Sequence, residues 1–195
     1  MIERIVARKG SCRIADIGGT EYYWRIAADF VAKTPVEIHL INLEAAPVKG
    51  AKFISHAGCA TALEPFADLA FDLVHSNSVI EHVGRWQNMM AMALNVRRLA
   101  PSYFVQTPNF WFPVEPHFRF PGFQWLPEAV RADLLLRFNL GFGGRHGTVD
   151  AAMRAVQSSN LLTVRQMRTL FPDAALVREY VGPFTKSIIM MRDSG

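Results

Sequence analysis

An acidic residue and two glycines form the first pattern in this sequence that could support chemistry. Asp16, Gly18 and Gly19 close a β-branched run over residues 11–17. Glycine lets a ligand approach the backbone closely, and a helix that starts there offers unpaired N–H groups. Ligands of open α/β sheets bind beyond the carboxyl ends of the strands. The pattern predicts either a ligand-binding turn or a plain tight connection between a strand and a helix.

A second polar group follows about 25 residues later, where another apolar run ends. Asn42 and Glu44 lie at the end of a predicted strand over 36–44. An acid at the tip of the second strand is well placed to accept hydrogen bonds from ribose hydroxyls. The alternative is an acid that only caps the following turn. Together with the glycine turn, this group predicts a cofactor that contains a nucleoside.

The remaining elements alternate between strands and helices. Further strands are predicted over 51–56, 71–78 and 102–108, followed by a closing pair around Gly182-Pro183. Helices are predicted over 20–33, 85–99, 127–138, 149–158 and 163–171, the last with Thr163 as its N-cap. In the first helix the spacing predicts a buried face of Tyr23, Ile26, Ala27 and Phe30. Such alternation without hairpin turns implies a parallel sheet with helical crossovers.

Composition excludes several classes of protein. The 195 residues are 50% hydrophobic and 19% charged, which suits one domain with a substantial core and excludes general disorder. We see no apolar run of membrane-spanning length and no secretory leader. Cys12 and Cys59 are too few for a disulfide framework and form no CxxC pair, so we expect a cytoplasmic protein without a structural zinc.

The charge distribution argues against a nucleic-acid partner. The formal net charge is +4 and the isoelectric point is near 9.3. The basic residues are scattered rather than concentrated in a run or along one helix, as nucleic-acid binding usually requires. The Asn/Asp-Pro-Pro-aromatic motif of enzymes that act on DNA bases is also replaced by Ser76-Asn77-Ser78-Val79.

An ordered series of motifs extends the pattern along the first half of the chain. After the glycine turn and Asn42-Leu43-Glu44 come Gly58-Cys59-Ala60, Leu63, Pro65-Phe66, Phe71-Asp72-Leu73-Val74 and the segment 75–83, which includes Glu81-His82-Val83. The chain resembles the class I S-adenosylmethionine (SAM)-dependent methyltransferases, in particular the type 11-like group. The resemblance covers residues 13 to about 107 well and extends loosely to the C-terminal helix and strands.

This resemblance implies a fold and an activity. The fold is an α/β, Rossmann-like, seven-stranded, mostly parallel sheet of order 3-2-1-4-5-7-6, with strand 7 antiparallel and helices on both faces. Residues 1–195 form a single domain. The implied activity is methyl transfer from SAM to a small-molecule, glycan-linked or lipid-linked acceptor. A degenerate, non-catalytic binding or scaffold protein is the alternative, and a nicotinamide-dependent oxidoreductase would require the GxGxxG turn that this sequence lacks.

The resemblance also implies which residues bind the cofactor. The methionine part would lie near Asp16, Gly18 and Gly19, and the ribose near Asn42, with Glu44 as a substitute acid. The adenine would lie beside Gly58, Cys59 and Ala60, with Ser76 and Asn77 on the floor below the methyl group. Three positions depart from the family pattern. Glu21 stands near a position where the family commonly has glycine. Asn42 replaces the acid that binds the ribose, and Cys59 replaces the Asp that binds the adenine.

An aromatic and proline-rich insertion at about 108–160 follows the fifth predicted strand. Residues 103–125 contain nine of the 22 aromatic residues and four prolines. The rings either pack into a local core, form the wall of an acceptor pocket or contact a lipid surface. We expect the insertion to act as a lid, with His117 and Glu115 as the catalytic pair and His82 as a structural residue. No sequence motif predicts a metal site.

The short N-terminus affects how the site would close. Only about 12 residues precede the first predicted strand, whereas many of the similar enzymes place a helical cap there over the cofactor. The open site would then depend on the insertion, on a second copy of the chain or on another partner chain for closure.

Overall fold

Seven strands form one mixed sheet in the computed structural model, which describes residues 1–194. They are β1 (Cys12–Ile17), β2 (Val36–Asn42), β3 (Phe53–Ala57), β4 (Leu73–Asn77), β5 (Ser102–Pro108), β8 (Ala175–Val181) and β9 (Phe184–Arg192), while β6 (Val114–Glu115) and β7 (Phe120–Pro121) form a separate small hairpin. The sheet order is β3-β2-β1-β4-β5-β9-β8, and the β5–β9 and β9–β8 pairs are antiparallel. This topology confirms the predicted fold class.

The helices lie on both faces of the sheet or within the insertion. They are α1 (Ile2–Lys9), α2 (Glu21–Trp24), α3 (Ala28–Lys33), α4 (Trp86–Leu99), α5 (Glu128–Arg137), α6 (Val149–Gln157) and α7 (Val164–Leu170). One core combines the sheet with α4 and α7, and the other combines it with α1, α2 and α3. The predicted N-cap of α7 is confirmed, since Thr163 and Gln166 form a reciprocal capping box.

The first predicted helix is wrong in its continuity and in its buried face. A 3₁₀ turn over Arg25–Ala27 separates α2 from α3. Ile26, which was expected inside, is 93% exposed, whereas Trp24 and Val31 are buried. The cause is a specific polar contact, because the Trp24 indole N–H donates to the carboxylate of Asp16 at 2.7 Å. Hydrophobic spacing alone does not encode this contact.

The N-terminal segment forms a helix that the sequence analysis did not anticipate. Helix α1 buries Ile5 in the core beneath the sheet and ends at Gly10, whose φ of 83° is left-handed. The Lys9 ammonium then reaches the Asp72 carboxylate at 2.5 Å. This helix therefore covers the β1 side of the sheet.

The insertion has a core of its own. Phe123 packs with Ala132 and Leu135 of α5 and with Ala152 and Val156 of α6. All five are buried. The insertion is therefore a packed unit rather than an open loop.

Two observations bear on the predicted compartment. Cys12 and Cys59 are both free, and burial raises the pKa of the Cys12 thiol to about 12. Among residues 1–194, no helix has the length and apolar character needed to cross a bilayer. The cytoplasmic location stays a prediction.

Helix α4 provides a test of this packing. Met92 is fully buried beneath the sheet, whereas Leu94, two residues along the same helix, is 61% exposed. We predict that Met92→Ala lowers the free energy of unfolding by about 2–5 kcal/mol, because it leaves a cavity in the core. Leu94→Ala, the matched control, should change it by no more than about 0.5 kcal/mol. Urea unfolding of both variants measures the difference, and equal effects would contradict the described burial of α4.

Candidate functional site

A cavity of about 320 Å³, here called the strand-edge cavity, opens at the carboxyl ends of β1, β2, β3 and β4. Its lining comprises Ile17, Gly18, Ile41, Asn42, Leu43, Gly58, Cys59, Ala60, Thr61, Val79, His82, Val83 and Asn88. Five of the predicted cofactor residues are therefore together: Gly18, Asn42, Gly58, Cys59 and Ala60. The other five lie behind this lining or outside it.

The turn after β1 requires glycine at position 18. Gly18 has a φ of 77°, and its N–H donates to the carbonyl of Ile41 at 2.8 Å. A Cβ atom at this position would lie 2.4 Å from Cγ2 of Val79. Because of both the left-handed conformation and this close approach, the backbone itself forms the cavity wall.

Asn42 connects the turn to the loop that follows β3. Its side-chain NH₂ group donates to the carbonyl of Gly19 at 2.8 Å, and its backbone carbonyl accepts from the N–H of Gly58 at 2.7 Å. The side-chain oxygen of Asn42 is used by neither bond and is left for a ligand. Glu44 lies two residues further on, is exposed and does not line the cavity.

Asp16 is placed behind the turn, not in the cavity. Its side chain is fully buried, with Oδ2 accepting from the Trp24 indole and Oδ1 contacting Nδ1 of His75, both at 2.7 Å. A Cβ atom on Gly19 would lie 1.7 Å from Oδ2 of Asp16. Gly19 is thus a glycine because the buried carboxylate occupies the space of a side chain.

Glu21, which stands near a glycine of the family pattern, has a structural contact. Its carboxylate accepts from the backbone N–H groups of Lys49 and Gly50, at 2.8 and 3.1 Å. It therefore fixes the loop between β2 and β3.

The two predicted floor residues on β4 face different surroundings. Ser76 is buried and donates to the carbonyl of Ile17 at 3.2 Å. Asn77 donates to the Tyr23 hydroxyl at 3.1 Å and lines a separate cavity of about 520 Å³ beside β5 and β9. Neither one lines the strand-edge cavity.

Cys59 has a neighbour that the sequence analysis did not single out. Its Sγ lies 3.0 Å from Oγ1 of Thr61, and this hydrogen bond lowers the pKa of the thiol. Thr61 also lines the cavity and adds a hydroxyl beside Cys59. No spacing rule in the sequence would have found it.

The aromatic rings of the insertion were expected to form a local core, a pocket wall or a lipid-contacting surface, and the structure shows packing of the first two kinds. Phe118 and Phe123 pack with ring centroids 4.3 Å apart in the insertion's core, as the local-core reading expects. Together with Phe110, these two rings also line a third cavity, of about 330 Å³, that includes Trp86 and Glu115. The rings therefore form both a core and a pocket wall.

Glu115 and His117, which the sequence predicts as a catalytic pair, are in contact. Glu115 is 3% exposed, its Oε1 contacts Nδ1 of His117 at 2.7 Å, and its Oε2 accepts from the N–H of Phe118 at 2.6 Å. The hydrogen bond to Glu115 raises the pKa of the His117 imidazole. Glu115 is enclosed and holds the His117 ring through Nδ1, and it also lines the third cavity.

His82 connects this pair to the strand-edge cavity. Its Nε2 lies 3.1 Å from Nε2 of His117, and its Nδ1 lies 2.8 Å from the carbonyl oxygen of Ser158. His82 itself lines the cavity. The preceding residue, Glu81, is fully buried, and desolvation raises the pKa of its carboxyl group. Sequence reasoning placed no function on Glu81 and treated His82 as structural.

The buried carboxylate offers a direct test of the site's framework. Asp16→Asn keeps the size of the side chain but turns an N–H group toward Trp24 or His75, which are both hydrogen-bond donors to the native carboxylate. We predict a loss of about 1–3 kcal/mol in the free energy of unfolding. The control is Asp133→Asn, because Asp133 is exposed on α5. Urea unfolding should show little change for the control, and an equally small change for Asp16→Asn would contradict the proposed bonding.

Comparisons of sequence with known families and of structure with solved proteins gave different results. No family model matches the chain, and no curated protein matches it. Solved structures do match. A Burkholderia thailandensis 1,6-didemethyltoxoflavin-N1-methyltransferase, solved with S-adenosylhomocysteine and 1,6-didemethyltoxoflavin, has a TM-score of 0.55 at 12% identity, with 97% of this chain and 74% of that one covered.

Two further structures are similar over nearly the whole chain. An O-methyltransferase family protein from Burkholderia thailandensis has a TM-score of 0.55 at 13% identity, covering 98% of this chain and 53% of that one. A structure assigned to the Zn-dependent alcohol dehydrogenases of Rhodobacter sphaeroides has a TM-score of 0.54 at 8% identity, covering 93% of this chain and 83% of that one. The antiparallel last strands distinguish this sheet from the all-parallel order 3-2-1-4-5-6 of dinucleotide-binding domains. The chain has the fold of the class I SAM-dependent methyltransferases.

Proposed function

We propose that this chain is a SAM-dependent methyltransferase whose cofactor binds in the strand-edge cavity. The observation that carries the proposal is the cavity's position, with Gly18, Asn42 and Gly58 meeting at the carboxyl ends of β1, β2 and β3. In open α/β sheets this edge is where ligands bind. The fold supports methyl transfer as the reaction class, and the position of the cavity supports it as the cofactor site.

The lining supports one orientation of the cofactor. The methionine part would lie beside Gly18, where the backbone can be approached closely, and the ribose beside the amide oxygen of Asn42. The adenine would lie between Leu43 and the Cys59–Thr61 segment, with the Thr61 hydroxyl as a polar partner. Asn42 is favoured over Glu44 for the ribose, because only Asn42 lines the cavity.

Predicted cofactor residues outside the lining would act indirectly. Asp16 and Gly19 shape the turn, and Ser76 ties β4 to the end of β1 through the carbonyl of Ile17. These contacts hold the backbone that the cofactor would touch. Their substitution should therefore change stability together with affinity.

The acceptor would bind under the insertion, which we propose to be a lid. The cavity beside it combines Phe110, Phe118 and Trp86 with the polar side chains of Glu115 and Arg131. Polar and apolar side chains line this cavity in about equal measure, the polar ones including Gln124, Ser159 and Gln166. This favours a ring-bearing acceptor that carries several polar groups, either a small molecule or the polar part of a glycan-linked or lipid-linked one.

Methyl transfer from a sulfonium mainly requires that the reactants are close and aligned. We propose that His117, which reaches His82 at the cavity border, orients the acceptor. Glu115 is its positioning residue, since the 2.7 Å contact fixes the ring through Nδ1. A second copy of the chain or a partner chain would be needed for closure only if the lid leaves the cavity open.

Titration calorimetry with S-adenosylhomocysteine and with NAD tests the function. We expect S-adenosylhomocysteine to bind once per chain and NAD not to bind. Binding of NAD alone would replace the proposal with an oxidoreductase, and binding of neither would indicate a protein that kept the fold without the cofactor.

The ribose assignment leads to a paired prediction. Asn42→Ala should weaken S-adenosylhomocysteine binding by about 1–2 kcal/mol, or about 5–30-fold, through the lost hydrogen bond and a looser glycine turn. Glu44→Ala is the matched control and should change the affinity by less than about twofold, since exposed groups that touch no ligand contribute little. Calorimetry measures both, and a larger loss in Glu44→Ala would reverse the assignment.

The role of His117 leads to a second pair of measurements. His117→Ala should leave the affinity for S-adenosylhomocysteine within about threefold, because the residue is outside the cavity lining, while lowering the rate of methyl transfer. Arg145 and His146 lie in a glycine-rich segment, and His146→Ala is the control for a histidine outside the cluster. A large loss of cofactor affinity in His117→Ala alone would show that this residue belongs to the cofactor site.

A further inference from the structure

The contact between His82 and His117 joins two ring nitrogens that would both lack a hydrogen if the rings were neutral. Nδ1 of His82 lies 2.8 Å from a carbonyl oxygen, that of Ser158, and Nδ1 of His117 lies 2.7 Å from the carboxylate of Glu115. Each of these oxygens can only accept, so each Nδ1 must carry the hydrogen. Two neutral rings would then have no hydrogen on Nε2, although these two atoms are 3.1 Å apart. Their facing lone pairs are resolved either by an added proton on one Nε2, which makes that ring a cation, or by a metal ion bound to both nitrogens.

A third ligand group lies at the same place. A Glu81 carboxylate oxygen and one ring nitrogen each of His82 and His117 lie within 4.8 Å of one another. Glu81 is fully buried, and within residues 1–194 its Oε1 has no hydrogen-bond partner. Its Oε2 accepts from the hydroxyl of Thr107 at 2.9 Å, which fixes the carboxylate. A buried carboxyl oxygen without a partner is stabilised either by a proton on the group or by a bound cation.

We propose that Glu81, His82 and His117 bind a divalent first-row transition metal, for which zinc is the probe. Imidazole nitrogens suit zinc, iron, nickel and copper, whereas magnesium and calcium prefer oxygen ligands only. A zinc ion at 2.0–2.1 Å from both Nε2 atoms would make an N–Zn–N angle of about 100°, near tetrahedral. Three protein ligands would leave a coordination position for water or a ligand, as in catalytic zinc sites.

The groups around the histidines have the arrangement that metal sites use. A histidine ligand usually donates its other ring N–H to a carboxylate or a backbone carbonyl, which fixes its orientation. Glu115 provides the first kind of partner for His117, and the Ser158 carbonyl provides the second for His82. Both supporting groups are thus in place.

A second histidine pair in the chain, His39 and His56, differs from the His82–His117 pair in its hydrogen bonding. His39 contacts Glu37 through Nε2 at 2.7 Å and Nε2 of His56 through Nδ1 at 2.8 Å. If His39 donates to Glu37 and accepts from His56, every contact joins one donor and one acceptor. This pair therefore needs no cation, and it provides a control.

The metal would lie at the border of the strand-edge cavity, since His82 lines that cavity. There it could bind an acceptor oxygen and lower its pKa, which is the usual effect of a metal on a bound hydroxyl. This second role rests on the proposed function, whereas metal binding itself does not.

The test uses the full chain, freed of metal with a chelator and titrated with Zn²⁺ by calorimetry, with Co²⁺ absorption as a second readout of coordination. We expect one Zn²⁺ per chain. Glu81→Gln keeps an oxygen for Thr107 but removes the charge, and we expect it and His117→Ala each to weaken binding more than about 100-fold. Glu115→Gln, which alters a supporting group, should weaken it about 10–100-fold.

His56→Ala is the matched control and should bind Zn²⁺ as the unaltered chain does. Absence of Zn²⁺ binding in the unaltered chain would overturn the site, as would unchanged affinity in folded Glu81→Gln and His117→Ala. An equal loss in His56→Ala would also overturn it. Titration of the same samples with S-adenosylhomocysteine separates the two proposals, because cofactor binding without metal binding rejects only the metal site.

Discussion

A buried carboxylate at the tip of the central strand organises the ligand edge of this fold. Asp16 bonds to Trp24 of α2 and to His75 of β4, both at 2.7 Å, and its Oδ2 fills the space beside Gly19. One side chain thus sets the positions of the glycine turn, the helix that follows it and the neighbouring strand. Burial of a carboxylate is costly unless its hydrogen bonds are kept, so these contacts constrain the turn that the cofactor would touch.

Asn160, at the end of the insertion, contacts the segment that follows β4. The N–H of Asn160 donates to the carbonyl of Glu81 at 2.8 Å, and its side chain donates to the carbonyl of Gly84 at 3.2 Å. His82 and His117 meet within this junction. The insertion is therefore tied to the segment that borders the strand-edge cavity, although no residue of 108–160 lines that cavity.

Strand positions could be predicted from residue patterns, whereas the sheet order and the residues of the cavity followed from the resemblance to class I methyltransferases. β-Branched runs that end in Gly18, Asn42 and Gly58 mark strand tips, and parallel strands bring their tips to one edge. Contacts between distant residues could not be predicted. The Trp24–Asp16 bond overrides the periodicity of its helix, and the contact between His82 and His117 joins residues 35 positions apart. Side-chain geometry, which no local pattern encodes, determines both.

Nuclear magnetic resonance on ¹⁵N-glycine-labelled protein tests the central claim most directly, because glycine amides report from several separate places in the fold. Addition of S-adenosylhomocysteine should shift the amide signals of Gly18 and Gly58, which line the strand-edge cavity. The signals of Gly10, after α1, and Gly182, between β8 and β9, should stay in place. Shifts confined to glycines away from the cavity, or no shifts at saturating ligand, would contradict the assignment of this cavity to the cofactor.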